Sequence, residues 1–315
     1  WECIPAYGFP RRSVGTRNGT NRVCSHSRRG FARLPMEIFA YEFMQRAFLA
    51  GLMVSLLCSF MAFFVVLKRM AFVGVGISHS AFGGVALGIL LNVNPILMAA
   101  AFSLLVSWLI GLVSKQGALH EDTAIGIFFS AAMALGVALI SLSGSYNVDL
   151  FGYLFGNILS VTTGDLWLVG ILGFLALSFL VLFFKEFLYL SFDEEMARVN
   201  GLPVTFLNYL LLTLMAVTVV VSIKVVGIVL AEALLVIPAA TGYQLARHYR
   251  LMLAISLLCG TLSSVMGLWL SYRYDLASGA TIVLCATLFF FLALLFSPRR
   301  GLVSRLKKQG NYSGG

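Results

Sequence analysis

Charged side chains are scarce in this 315-residue chain. Only 11% of residues are Asp, Glu, Lys or Arg, against 60% hydrophobic, and the mean hydropathy is +0.94. Soluble domains carry about 25% charged residues, so this balance excludes an ordinary soluble fold. Cysteine is sparse too. Five are present and none form a CxxC pair, which argues against a zinc knuckle or a redox pair. Cys58, Cys259 and Cys285 fall inside apolar runs, where cysteine acts as a small hydrophobe, and Cys3 and Cys24 precede them in a basic stretch. No GxxxxGK[ST] loop is present to hold ATP, and no HExxH motif or paired nucleophile and base marks an intramembrane hydrolase. No strong internal repeat is visible. The chain therefore carries none of these catalytic motifs of its own.

The net charge of +9 is unevenly spread. Residues 1–35 hold seven arginines and one acid, whereas the other 280 residues carry 15 basic and 12 acidic side chains. The excess is mostly a tail, so it implies no nucleic-acid partner. Residues 1–35 lack hydrophobic periodicity and the short apolar core of a secretory signal. They are expected to be a disordered arm or upstream translation, with Met36 as the start. The permease region then spans 36–298, and 299–315 form a second basic tail.

Windows of about 19 residues give about nine transmembrane helices, with eight as the alternative count, in an all-α polytopic membrane protein. They fall near 44–67, 71–91, 95–114, 124–142, 165–184, 205–223, 225–246, 251–271 and 280–297. Lys68, Arg69, Lys115, Lys185, Arg198, Arg247, Arg250 and Arg299 fall on one side of them. The opposite loops carry Arg273 as their exception. The positive-inside rule places the basic side, and the C-terminus, in the cytoplasm. Residues 71–91 contain five glycines, which permit close helix packing or an interrupted helix. Residues 146–164 mix polar and aromatic residues and read as an interfacial or re-entrant segment.

Two ionisable residues sit in this apolar frame. His79 is ten residues beyond Arg69, about 15 Å along a helix, and Glu232 is eight residues past Lys224, roughly 12 Å. Both depths approach the middle of a hydrocarbon core of about 30 Å. Ionisable groups at such depth are costly and mark ion or substrate paths. Imidazole with carboxylate suits a divalent transition metal, zinc, manganese or iron among them. The plainer alternative makes His79 packing glue to a serine or carbonyl. Glu232 in its protonated form could likewise pair with Ser222, Thr241 or a carbonyl.

Segment 185–203 is the other informative stretch. Ser191 or Asp193 can cap a short helix with Glu194 and Glu195 in its first turn, ended by Gly201 and Pro203. Such a helix between two spans suits docking of a soluble partner, while a solvated connector is the plainer alternative.

These segments resemble the integral-membrane subunit of bacterial ABC importers for zinc, manganese and iron(II). The matching stretches include Gly76-Ile77-Ser78-His79-Ser80-Ala81, Asp122-Thr123-Ala124-Ile125-Gly126-Ile127 and Leu154-Phe155-Gly156-Asn157-Ile158-Leu159. They continue with Ser191 to Pro203, Ala233 to Thr241 and Ser278-Gly279-Ala280-Thr281. They occur in family order over nearly all of 36–298. The resemblance implies a multi-pass homodimeric permease of the bacterial cytoplasmic membrane, with zinc the first expected cargo. It implies two cytoplasmic ATPase subunits that use ATP, an extracytoplasmic metal-binding protein, and surrounding membrane lipid. No covalently held cofactor is implied. His79 and Glu232 would meet the metal, and Asp193, Glu194, Glu195, Ala197, Arg198 and Gly201 would form the coupling helix. Ser78, Gly83, Gly84 and Pro238 would pack the gate or path, and Asp275 and Ser278 would lie at the outer mouth.

Two departures from the family pattern stand out. Many members carry an aspartate one turn before the histidine, where this chain has Val75, and a small or apolar residue where it has Glu232. Glu232 is therefore expected to supply the carboxylate that Val75 cannot. Ala277 also stands where prolines are common. The competing reading is a proton- or sodium-coupled secondary transporter, with Glu232 as its carrier carboxylate.

Overall fold

The computed structural model describes residues 42–115, 121–143, 156, 161–274 and 276–297, all within one compact unit, Ile38–Gly315. The tails 1–35 and 299–315, residue Asp275 and most of 146–164 lie outside the described residues. Among the described residues the structure is helical, without strands. Eleven helices follow in order: α1 Glu42–Leu67, α2 Ala71–Leu90, α3 Pro95–Lys115, α4 Glu121–Ser143, α5 Thr163–Leu182 and α6 Phe184–Phe192. Then come α7 Glu194–Val199, α8 Val204–Val226, α9 Ile228–Leu245, α10 Tyr249–Tyr274 and α11 Ser278–Leu295.

Nine of these are long and apolar enough to cross a membrane, and they coincide with the expected spans within a few residues. The cause is simple. Hydrocarbon offers no partner for backbone N–H and C=O groups, so an apolar run of this length must satisfy them within its own helix. α1, α2 and α8 form the interior, with 72% of an 18-residue apolar stretch of each buried, whereas α4 and α5, at 17%, lie at the periphery. α2 packs on α3 and α4; α1 packs on α9 and α10; α8 contacts both groups.

Within residues 71–91, Ala71–Leu90 form one continuous helix, not an interrupted one. The glycines serve close packing. A Cβ on Gly84 would lie 2.6 Å from Ala99 Cα and 2.8 Å from the Met98 carbonyl in α3. One on Gly83 would lie 2.9 Å from the Ala132 carbonyl in α4. Small residues here let helix backbones touch, which is how spans associate when lipid removes the hydrophobic drive.

The segment after α5 holds a further helix that the apolar windows miss. α6 folds back because its aromatic face finds partners in α1: Phe184 stacks on Phe63 at 6.0 Å and Phe187 meets Phe64 edge-on at 5.6 Å. Such ring pairs contribute about 0.5–1.5 kcal/mol each beyond their buried area. Asp193 then caps α7, its Oδ1 accepting from the Met196 N–H at 2.9 Å. The helix ends as expected at Gly201, whose φ of +80° suits a residue without Cβ. The Gly201 N–H donates to the Arg198 carbonyl and the Leu202 N–H to the Ala197 carbonyl, both at 3.1 Å.

α8 and α9 are joined by a single residue, Gly227, at φ +82°. Gly156 packs directly on the Val226–Gly227 peptide, where any side chain would collide.

Candidate functional site

His79 is the ninth residue of α2 and Glu232 the fifth of α9, and the fold brings them together. His79 Nδ1 lies 2.7 Å from Glu232 Oε1, with the two side chains 18% and 20% exposed. Nδ1 also lies 3.0 Å from the Val75 carbonyl, one turn back on α2. Both neighbours are acceptors, so the proton of a neutral ring belongs on Nδ1. Nε2 then carries the lone pair. Metal-binding histidines are oriented in this way, with the far nitrogen donating to a carbonyl or carboxylate.

Ser78 completes the cluster. Its hydroxyl lies 2.7 Å from Glu232 Oε1 and 2.6 Å from the Gly74 carbonyl. One proton serves both acceptors, so Glu232 and the helix compete for it. The His79 ring also meets Phe129 of α4 edge-on at 4.7 Å, which limits its rotation. The site thus joins α2, α4 and α9.

Chemically, the cluster offers one imidazole nitrogen and one carboxylate oxygen, Oε2, beyond those already bonded. Among the described residues no group of three or more His, Cys, Asp or Glu side chains could enclose a metal. Two such donors are fewer than the four of a structural zinc site.

The other expected residues fall in distinct places. Gly83 and Gly84 seal α2 against α4 and α3. Pro238 is buried inside α9, six residues beyond Glu232. Ser278 opens α11 with its carbonyl accepting from Thr281 Oγ1 at 2.9 Å, and Asp275 lies outside the described residues. In the short helix, Ala197 is fully buried while Glu195 and Arg198 are exposed. Met196 and Val199 present apolar surface there at 56% and 81% exposure.

Two polar links escape the sequence reading. At one end of α8, Lys224 Nζ meets Asp165 Oδ1 at 2.5 Å, and the Asp165 carboxylate also closes a capping box with Thr162 at the start of α5. At the other end, Asn208 bridges the chain. Its amide nitrogen donates to Glu194 Oε1 at 2.9 Å, and its oxygen accepts from Lys68 Nζ. A polar residue in the first turns of a span, facing a charged neighbour loop, was the available signal for Asn208. For Asp165 it was the Thr-x-x-Asp spacing.

The family model described as "ABC 3 transport family" matches residues 40–297. The chain is 39% identical over 272 residues to the manganese transport system membrane protein MntC of Listeria monocytogenes, covering 86% of this chain and 97% of that protein. It is 35% identical over 259 residues to the high-affinity zinc uptake system membrane protein ZnuB of Haemophilus influenzae, covering 82% and 99%. Among solved structures it is similar to a chain of PsaBC from Streptococcus pneumoniae in complex with Fab. That match has a TM-score of 0.76 and 34% identity, and covers 85% of this chain and 98% of that one. With the family model matched over residues 40–297, this multi-pass membrane protein belongs to the ABC 3 transport family.

Proposed function

We propose that the chain is the permease subunit of an ATP-driven importer for a divalent transition metal, manganese ahead of zinc and iron. The observation that carries this reading is the His79–Glu232 pair, which joins two spans at membrane depth with Nδ1 anchored and Nε2 carrying the lone pair. The donors are one imidazole nitrogen and one carboxylate oxygen, a set that extends toward manganese. The relatives named for manganese transport support that order over zinc.

The permease acts as a homodimer, so that two His79–Glu232 pairs flank one path. Two cytoplasmic ATPases seat on α7, whose exposed Glu195, Met196 and Val199 suit a groove. A metal-binding protein delivers the ion from outside. The basic end of the spans faces the cytoplasm, with the C-terminus there, in the bacterial cytoplasmic membrane. ATP binding favours one of two arrangements of the spans, and the differential affinity of the ATPases for those arrangements supplies the work.

The test is cellular accumulation of manganese, zinc and iron on co-expression with the ATPase and binding protein. Wild type runs beside His79→Ala, Glu232→Gln and an ATPase-dead control, with membrane levels matched. Uptake of one metal that requires ATP hydrolysis and both side chains is expected. Uptake indifferent to the dead ATPase overturns the reading in favour of an ion-coupled carrier.

A further inference from the structure

Two features outside the histidine site adjoin each other. The first is an apolar groove of about 800 Å³ on the outer face of α3 and α8. Its walls are helical stripes: Leu105, Trp108 and Leu112 on α3, Phe206, Leu210 and Thr213 on α8. Trp108 is 52% exposed, yet its Nε1 donates to Thr213 Oγ1 at 3.0 Å, which fixes the indole across the groove floor. From Ala101 to Leu112 the groove runs parallel to the spans for about 16 Å.

The second feature is a polar cavity of about 320 Å³ at the basic end of the same two helices. It is lined by Lys68, Ser114, Glu194, Asn208 and Tyr209, together with apolar residues of α2 and α3. Tyr209 belongs to both features, and Gly111 of the cavity precedes Leu112 of the groove. A long apolar slot therefore ends in a small polar chamber at the height where a span meets water.

Any apolar face of a membrane protein is coated by lipid. The chamber is what makes this place selective. An ammonium, Lys68, and a carboxylate, Glu194, both line it and bond to the two ends of the Asn208 side-chain amide. A headgroup carrying only negative charge meets the Glu194 carboxylate, and one carrying only positive charge meets Lys68. A headgroup with both charges satisfies both walls.

We propose that groove and chamber form one binding site for a phospholipid whose headgroup carries a phosphate and a primary ammonium. The acyl chain lies between α3 and α8, the phosphate faces Lys68, and the ammonium faces Glu194. A primary ammonium fits better than a quaternary one, because it can donate hydrogen bonds to the carboxylate and to Ser114.

The experiment uses the full chain in nanodiscs of equimolar phosphatidylethanolamine and phosphatidylglycerol with matched acyl chains. After transfer to mild detergent, native mass spectrometry counts the lipids retained. Phosphatidylethanolamine is expected to exceed phosphatidylglycerol about fivefold, as one interfacial charge pair allows. Glu194→Gln abolishes that preference, and Lys68→Gln lowers retention of both lipids. The wild-type ratio decides without any variant having to fold: a ratio of one overturns the proposal. So does binding of soluble phosphoethanolamine as tight as that of the lipid, which makes the chamber a site for a soluble ligand. Disulfide crosslinking between copies through Trp108→Cys also overturns it, because a second protomer then covers the groove.

Discussion

The Asn208 amide holds the Glu194 carboxylate at 2.9 Å, fastening the short exposed helix α7 to the first turns of span α8. Because Asn208 also accepts from Lys68, the turn that opens α2 is fastened to the same point. Asn208→Leu removes both bonds while keeping the side chain's bulk. We expect the assembled transporter to retain its ATPase activity but to lose most metal-dependent stimulation of it. Parallel assays of hydrolysis and uptake in proteoliposomes check this, and equal losses in both would place Asn208 in folding alone.

Glu232 and Val75 approach the same histidine from two sides, the one through its carboxylate and the other through its carbonyl. Glu232→Ala is expected to lower metal uptake about 10- to 100-fold, the usual effect of losing a partner of a metal-binding histidine. Adding Val75→Asp should restore a large part of it, since that carboxylate stands one turn from His79 on the same helix face. Manganese uptake in single and double variants reads the outcome. No rescue would mean that the position of the carboxylate, and not only its presence, matters.

Lys224 and Asp165 pair at 2.5 Å between α8 and α5, each about a quarter exposed or less. Removing one partner leaves the other charge half-desolvated, so Asp165→Asn should destabilise the detergent-solubilised protein by about 1 kcal/mol. The swapped pair, Asp165→Lys with Lys224→Asp, should recover part of the loss, less than all because Thr162 loses its capping partner. Thermal unfolding of wild type and the two variants in one detergent settles the sign.

Gly84 faces the α3 backbone without room for a methyl group. Gly84→Ala should push α2 from α3 and cost about 1–3 kcal/mol, as overpacking does elsewhere. Gly126, whose Cβ would meet nothing within 4 Å, is the matched control, and Gly126→Ala should leave thermal stability unchanged.

The scarcity of charge made the nine spans legible, because each apolar run must be a helix in lipid. The cap of α7 was legible from Asp193 and its acidic first turn, since capping is a local interaction. His79 and Glu232 could be placed at similar depth but not in contact, because depth follows from helical rise and azimuth does not. What escaped the sequence was long-range or aromatic. α6 depends on rings of α1 more than a hundred residues away, and Lys68 meets Asn208 across 140 positions. Lys224 was legible only as a marker of a membrane edge, whereas the structure places it in the last turn of α8, bonded to Asp165.

The one-residue join at Gly227 has a mechanical meaning. From Asn208 to Val226 α8 is an unbroken rod of about 27 Å, and an α-helix is stiff along its axis. At its far tip there is no loop to absorb displacement, and Glu232 stands five residues past the pivot. Lys224 and Asp165 clamp the rod just before that tip, as a fulcrum would. In the proposed importer, a tilt begun at α7 would reach the carboxylate as a swing about this clamp, and loosening the clamp with Asp165→Asn is expected to weaken the link between α7 and Glu232.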